Sequence, residues 1–246
     1  MKNNTTPSNV AEWQKFLHEM YGDNNAVYYQ SILQLIAMLS LTVKKLADSI
    51  RKGKNEETPK RIANCISKTF AIANRFQGMD MASFLAIKYP IDGCAYCGEK
   101  PCKCEENRSE HIPSAKTESQ LGWNFKNWQV HLDDVYGPKN RSAGIDYIIL
   151  RLFQELSELL AIATEVDYIS RPATVIKQEY GKELADVFAW LFAIANVFEI
   201  NIDHATLSIY SNGCPTCGKK KCECTKFFIT DGQISHITNA NSLPNH

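Results

Sequence analysis

Apolar residues recur at three- and four-residue intervals through most of this chain, with almost no internal Gly or Pro, which is the pattern of helices that bury one face. It predicts helices near residues 10–21, 27–51, 59–76 and 79–88, and again near 124–136, 143–169, 173–198 and 203–210. Period-two alternation is confined to the cysteine segments and the C-terminal tail, so the expected class is all-α with bundle-like packing.

The pattern also repeats. Trp13-Gln14 is followed by Leu17 and Tyr21-Gly22, and Trp128-Gln129 by Leu132 and Tyr136-Gly137, with the same internal spacing. Phe70-Ala71-Ile72-Ala73-Asn74 recurs letter for letter as Phe192-Ala193-Ile194-Ala195-Asn196. Each copy closes on one cysteine signature, Cys94-x2-Cys97-x4-Cys102-x-Cys104 and Cys214-x2-Cys217-x4-Cys222-x-Cys224. Matched blocks in the same order predict a tandem duplication, with copies over 10–104 and 123–226. Residues 105–122 are polar and contain a Pro, as expected of a linker crossing an exposed surface, and residues 1–9 and 227–246 read as flexible tails.

The second copy carries two acid pairs, Glu155-x-x-Glu158 and Glu183-x-x-Asp186, on consecutive predicted helices. A separation of three places each pair on one helix face. At about 100° per residue, Ile148, Ile149, Leu152, Leu156, Leu159 and Ala163 define the apolar arc of the first helix, with Glu155 inside it and Glu158 just beyond its edge. Val187, Trp190, Leu191, Ile194 and Phe198 define the arc of the next, with Glu183 within and Asp186 at the margin. Charged pairs on helices are ordinarily solvated, but buried carboxylates require protonation, cationic partners or a metal. Clustered carboxylate oxygens suit Mg²⁺ or Mn²⁺, which bind substrate phosphates as well.

At these residues the second copy resembles the MazG-like, all-α nucleoside triphosphate pyrophosphohydrolases over about residues 124–212. The family signature is Glu-Glu-x-x-Glu, then Glu-x-x-Asp, often with a trailing Ala-Asn-x-x-x-Ile-Asp-like segment. Here these read Gln154-Glu155-Leu156-Ser157-Glu158, Glu183-Leu184-Ala185-Asp186, and Ala195-Asn196 through Ile202-Asp203. Gln154 departs from the first family Glu. The resemblance implies hydrolysis of an NTP or dNTP to monophosphate and pyrophosphate, with Mg²⁺ held by Glu155, Glu158, Glu183 and Asp186. It also implies substrate contacts from Asn212 and a water-mediated role for Gln154.

Aligning the copies sets Met38 and Leu41 opposite Glu155 and Glu158, and Arg61 and Asn64 opposite Glu183 and Asp186. No acid remains at any of these four positions of the first copy, which is expected to be catalytically silent. Met38 and Leu41 are expected to fill the former site, and Arg61 to repel a cation. Family members commonly dimerise, so the chain resembles a homodimer fused into one polypeptide, with further homo-oligomers open.

Each cysteine set supplies four thiolates, the count for a closed structural Zn²⁺ site, with disulfides or an iron–sulfur cluster as the competing readings. Gly93, Gly98, Gly213 and Gly218 permit the tight turns such loops need, and each knuckle is expected to staple the end of its own bundle. Cys65 stands outside both sets and reads as a buried helix residue. His131 and His204 lack a partner at ligand spacing and suggest surface or capping roles. Trp13, Trp128, Tyr21 and Tyr136 recur in both copies and suggest packing.

Composition narrows the function classes. At 246 residues and 44% hydrophobic content the chain can bury a sizeable core, and its formal net charge is zero. Neither half has the positive excess of a nucleic-acid-binding domain, although Lys219-Lys220-Lys221 makes one knuckle locally basic. The opening Met1-Lys2-Asn3-Asn4 offers no apolar signal segment and no apolar run reaches membrane-spanning length, so a soluble, cytoplasmic protein is expected. A nucleotide sensor or scaffold that binds without turnover, and a zinc-knuckle nucleic-acid adaptor, are the competing functions.

Overall fold

The computed structural model describes residues 6–106, 117–165, 170–225, 227–230 and 233–236. Among these the chain forms eight α-helices: α1 (Val10–Tyr28), α2 (Ile32–Arg51), α3 (Thr58–Ala73), α4 (Met81–Lys88), α5 (Phe125–Ala143), α6 (Ile145–Thr164), α7 (Ala173–Val197) and α8 (Ile202–Tyr210). A 3₁₀ turn at Thr117–Gln120 precedes α5. A two-stranded antiparallel hairpin, β1 (Phe227–Thr230) with β2 (Gln233–His236), follows the last cysteine loop. No single helix among the described residues is long and apolar enough to cross a membrane.

Five of the eight helices begin where a side chain takes up free N–H groups of the first turn. Ser31 with Gln34, and Asn124 with Asn127, form reciprocal capping boxes at α2 and α5. Asn9, Asp80 and Asn201 cap α1, α4 and α8. The expectation of one helix over 27–51 is corrected: α1 runs on to Tyr28, the chain turns, and the Ser31 box starts α2. In the second half α5 likewise runs past the expected end at 136 to Ala143, with Pro138 inside it.

Both halves build one core. Trp13 stacks on Phe125 at 6.2 Å, Phe70 lies 5.0 Å from Phe188, and Phe76 lies 4.8 Å from Tyr180, each contact joining the first half to the second. Backbone pairing seals the same seam, Val10 N–H donating to Trp123 C=O at 3.2 Å.

The repeated letters make repeated contacts. Gln14 Nε2 donates to Asn74 Oδ1 (2.9 Å) and Met79 C=O (2.8 Å), while its Oε1 accepts from Met81 N–H (3.0 Å). Gln129 makes the matching set with Asn196 (3.0 Å), Ile200 (2.8 Å) and Ile202 (3.0 Å). Each buried glutamine thereby ties the first helix of its half to the turn before the fourth, with both amide atoms satisfied.

The linker expectation needs amendment at its end. Gln120 is fully buried and donates to Tyr89 C=O at 3.0 Å, so this stretch is anchored against the first half. Residues 107–116, most of the expected linker, lie outside the described residues, as do residues 1–5 and 237–246 of the expected tails.

Candidate active site

Helices α6 and α7 lie side by side and bring their acids together. Carboxylate oxygens of Glu155, Glu183 and Asp186 all fall within 4.8 Å of one another. Glu155 is the most enclosed, 3% exposed, because its position lies on the buried arc with Leu152, Leu156 and Leu159. Trp190 Nε1 donates to its Oε1 at 3.0 Å, and Arg151 reaches the same oxygen at 3.6 Å. Glu158 stands outside this triad, half-buried, hydrogen-bonded to Glu183 and held by Gln154 Nε2 at 2.9 Å. The four-acid site expected from the sequence is therefore a triad with Glu158 beside it. Gln154, expected to act on substrate, is exposed and holds Glu158 while accepting from Arg151.

Two partners come from the other half. At the C-terminal end of α4, the Lys88 ammonium pairs with Asp186 and the Tyr89 hydroxyl donates to its other oxygen. Burial, and then the Asp186 charge, push the Tyr89 phenol well above its ordinary range, so it stays a donor. The acids resist ionising together. Burial first, then the neighbouring Asp186, raise Glu155. Burial, only partly offset by Lys88, together with Asp186 and Glu158 raises Glu183 to about 7. Carboxylates in this condition are those a divalent cation would relieve.

Glu155 and Asp186 line a cavity of about 390 Å³. Lys88, Tyr147, Arg151 and Trp190 line it near the acids. Tyr147 meets Trp190 edge-on at 6.3 Å, and the Arg151 guanidinium lies 5.6 Å from the Trp190 ring centre. Asn196 also lines it. Asn212, expected to contact substrate, is exposed in the turn after α8 and does not line the cavity. Asp203 accepts from the Phe125 and Lys126 N–H groups at 3.2 and 2.8 Å, so it caps α5.

Compared with known proteins, the chain matches no family model, no curated protein and no solved structure.

The two cysteine sets are each gathered so that one sulfur per residue lies within 4.8 Å of the others. Cys94–Cys104, Cys97–Cys102 and Cys214–Cys224 sulfurs are 3.5, 3.9 and 3.8 Å apart. A tetrahedron with metal–sulfur bonds near 2.3 Å has edges of about 3.8 Å, whereas a disulfide needs about 2.05 Å. The donor set fits zinc. In both loops the first cysteine is readied for it: burial works against the thiolate, but N–H groups of Cys97 and Tyr96, then Cys102 and Tyr136, bring Cys94 down to about 6. Burial again opposes the Cys214 thiolate, and Cys217, Thr216, Cys222 and Tyr21 bring it down to about 6 in the same way.

These loops are exchanged. Cys102 N–H donates to Val135 C=O of α5 at 2.8 Å, and Cys222 N–H donates to Met20 C=O of α1 at 2.8 Å. Asn24 Nδ2 reaches Cys222 Sγ at 3.1 Å and Cys224 C=O at 3.0 Å. Each knuckle therefore docks on the first helix of the opposite half, and the expectation that it staples its own bundle is corrected. Gly93 and Gly213 have φ of +146° and +101°, which accommodates each loop's tight return, as expected.

The repeated tyrosines are the signal that sequence reasoning undervalued. Tyr21 and Tyr136 bond the exchanged knuckles, and the pair Tyr89 and Tyr210 ends the helices before each knuckle. Tyr210 donates to Asn64 Oδ1 at 2.9 Å, as Tyr89 does to Asp186, at the aligned positions of the two halves.

In the first half, Met38 packs against the core, but Leu41 is 47% exposed and does not fill the former site. Arg61 instead pairs with Glu57 at 2.5 Å. Cys65 is buried, as expected. His131 is buried against Trp123 and Trp128 rather than on the surface, and burial followed by the charge of Lys100 lowers it to about 4.

Proposed function

We propose that this chain is a metal-dependent nucleoside triphosphate pyrophosphohydrolase of MazG-like architecture, a tandem duplication whose second copy holds the active site. The observation that carries the reading is the gathering of Glu155, Glu183 and Asp186, two of which, Glu155 and Asp186, line a cavity that also offers cations and aromatic faces. The matched Gln14 and Gln129 networks support the duplication.

Glu155, Glu183 and Asp186 would hold Mg²⁺ or Mn²⁺, which when bound neutralises phosphate charge and acidifies a coordinated water. The chain's own residues do the rest. Lys88 and Arg151 bring positive charge to the phosphate end, and Trp190 fixes the Glu155 carboxylate. A water then attacks the α-phosphorus as pyrophosphate departs, its proton passing to a carboxylate of this acid cluster. Zn²⁺ in the two four-cysteine knuckles is assigned a structural role, and the reducing cytoplasm is the compartment that keeps these thiols available.

The test is turnover of ribo- and deoxynucleoside triphosphates with Mg²⁺ and separation of the products. Monophosphate and pyrophosphate, lost by at least about 100-fold in Glu183→Gln, support the reading. Diphosphate and orthophosphate point to a different reaction. Tight nucleotide binding without turnover favours a sensor, a reading with its own support in the Lys88 ammonium that already pairs with Asp186.

A further inference from the structure

The cavity beside the acids has a wall that no catalytic motif contains. Three residues of the first knuckle, Cys94, Cys102 and Cys104, line the same cavity as Glu155 and Asp186, together with Tyr96 from the turn between Cys94 and Cys97. This wall is in place because the knuckle is exchanged: Cys102 N–H bonds Val135 C=O, Tyr136 bonds Cys94, and Lys139 pairs with Glu105 at 2.8 Å. Tyr96 is 52% exposed, a large ring on the turn between two cysteines.

The other half supplies an internal comparison. Its knuckle has the same four cysteines and docks in the same way, but the position of Tyr96 is Thr216. The substitution belongs to a set. Asp186 aligns with Asn64, Glu155 with Met38, Trp190 with Lys68, and Lys88 with Ile209. The residues that hold the fold together, Gln14 and Gln129, Tyr21 and Tyr136, and the eight knuckle cysteines, are alike in both halves. Tyr96 therefore changes with the cavity and not with the scaffold.

We infer that the first knuckle, contributed by the catalytically silent half, is the substrate-recognition wall of the active site, with Tyr96 stacking on the nucleotide base. The phosphates lie toward Glu155, Asp186 and Lys88, and the base lies toward the knuckle. An aromatic face suits any base, and a loop whose shape is set by zinc presents it at little entropic cost. This inference rests on the nucleotide reading above and adds the part of the site that reads the base.

The test is calorimetric binding to the full chain with Ca²⁺ in place of Mg²⁺, comparing the tightest-binding of the eight common ribo- and deoxynucleoside triphosphates with inorganic tripolyphosphate, which lacks a base. Tyr96→Ala is expected to weaken the nucleotide by about ten-fold or more and leave tripolyphosphate unchanged. Tyr96→Phe should keep most of the nucleotide affinity, and Thr216→Ala should alter neither ligand. Unchanged nucleotide affinity in Tyr96→Ala overturns the inference while leaving the enzyme reading intact. Equal weakening of both ligands also overturns it, since it marks a general loss of shape. A wild-type chain that binds neither ligand removes the nucleotide reading and this inference together.

Discussion

Lys88 and Asp186 come from opposite halves of the chain, yet their pairing shapes the electrostatics of the acid triad. The ammonium and the Tyr89 hydroxyl both counter the Asp186 charge, while Glu183 remains raised to about 7 from an ordinary 4.5. The folded chain thus holds a proton on Glu183 more tightly than the unfolded chain does. Stability from this group is present below about pH 4.5 and is lost as pH rises through about 7. A divalent cation held by the ionised acids would oppose that loss. Added Mg²⁺ should therefore raise the melting temperature little near pH 5.5 and by several degrees near pH 8, as read by thermal unfolding at the two pH values. An equal shift at both, or no shift at either, would show that these acids do not hold the ion.

At the scale of elements, the helices were readable because their apolar period is long and uninterrupted, and the acid pairs were readable because spacing of three fixes their face. The break after Tyr28 was not, since no Gly or Pro marks it and the start of α2 is carried by Ser31 and Gln34 alone. The triad's outside partners, Lys88 and Tyr89, were also hidden, because nothing local in α4 says that its C-terminal end meets α7 across the seam. In the knuckles the sequence was more explicit, down to the glycines. A Cβ at Gly93 would lie 2.2 Å from the Gly98 carbonyl oxygen, and at φ of +146° no L side chain sits easily. Gly218 has a milder φ of +70° and open space around it. Gly93→Ala should lower the zinc content of the purified chain from about two to about one per protein, and Gly218→Ala should retain about two. Metal analysis decides between these outcomes, and zero zinc in the unmodified chain would overturn the assignment itself.

For the whole molecule, the exchange of knuckles changes what a duplication would mean. Two copies that merely sat side by side would each keep a core and a metal loop, and either could stand alone. Here Trp13 stacks on Phe125, Phe70 packs on Phe188, and each cysteine loop closes against the other half's first helix. Neither half retains its own partner for Cys102 or Cys222 if the other is removed. Burial of the shared aromatic residues, at roughly 25 cal/mol per Å² of apolar surface, is available only to the pair. The first half is thus held in place by structural necessity, and it also brings Lys88 and Tyr89 to Asp186 and Tyr96 to the cavity lining. Halves expressed separately should be largely unfolded by circular dichroism, while the same halves expressed together should co-purify as one particle containing about two zinc ions and should melt in a single transition. Two independently folded halves, each with its own melting transition, would contradict the interleaved core and with it the origin of the cavity wall.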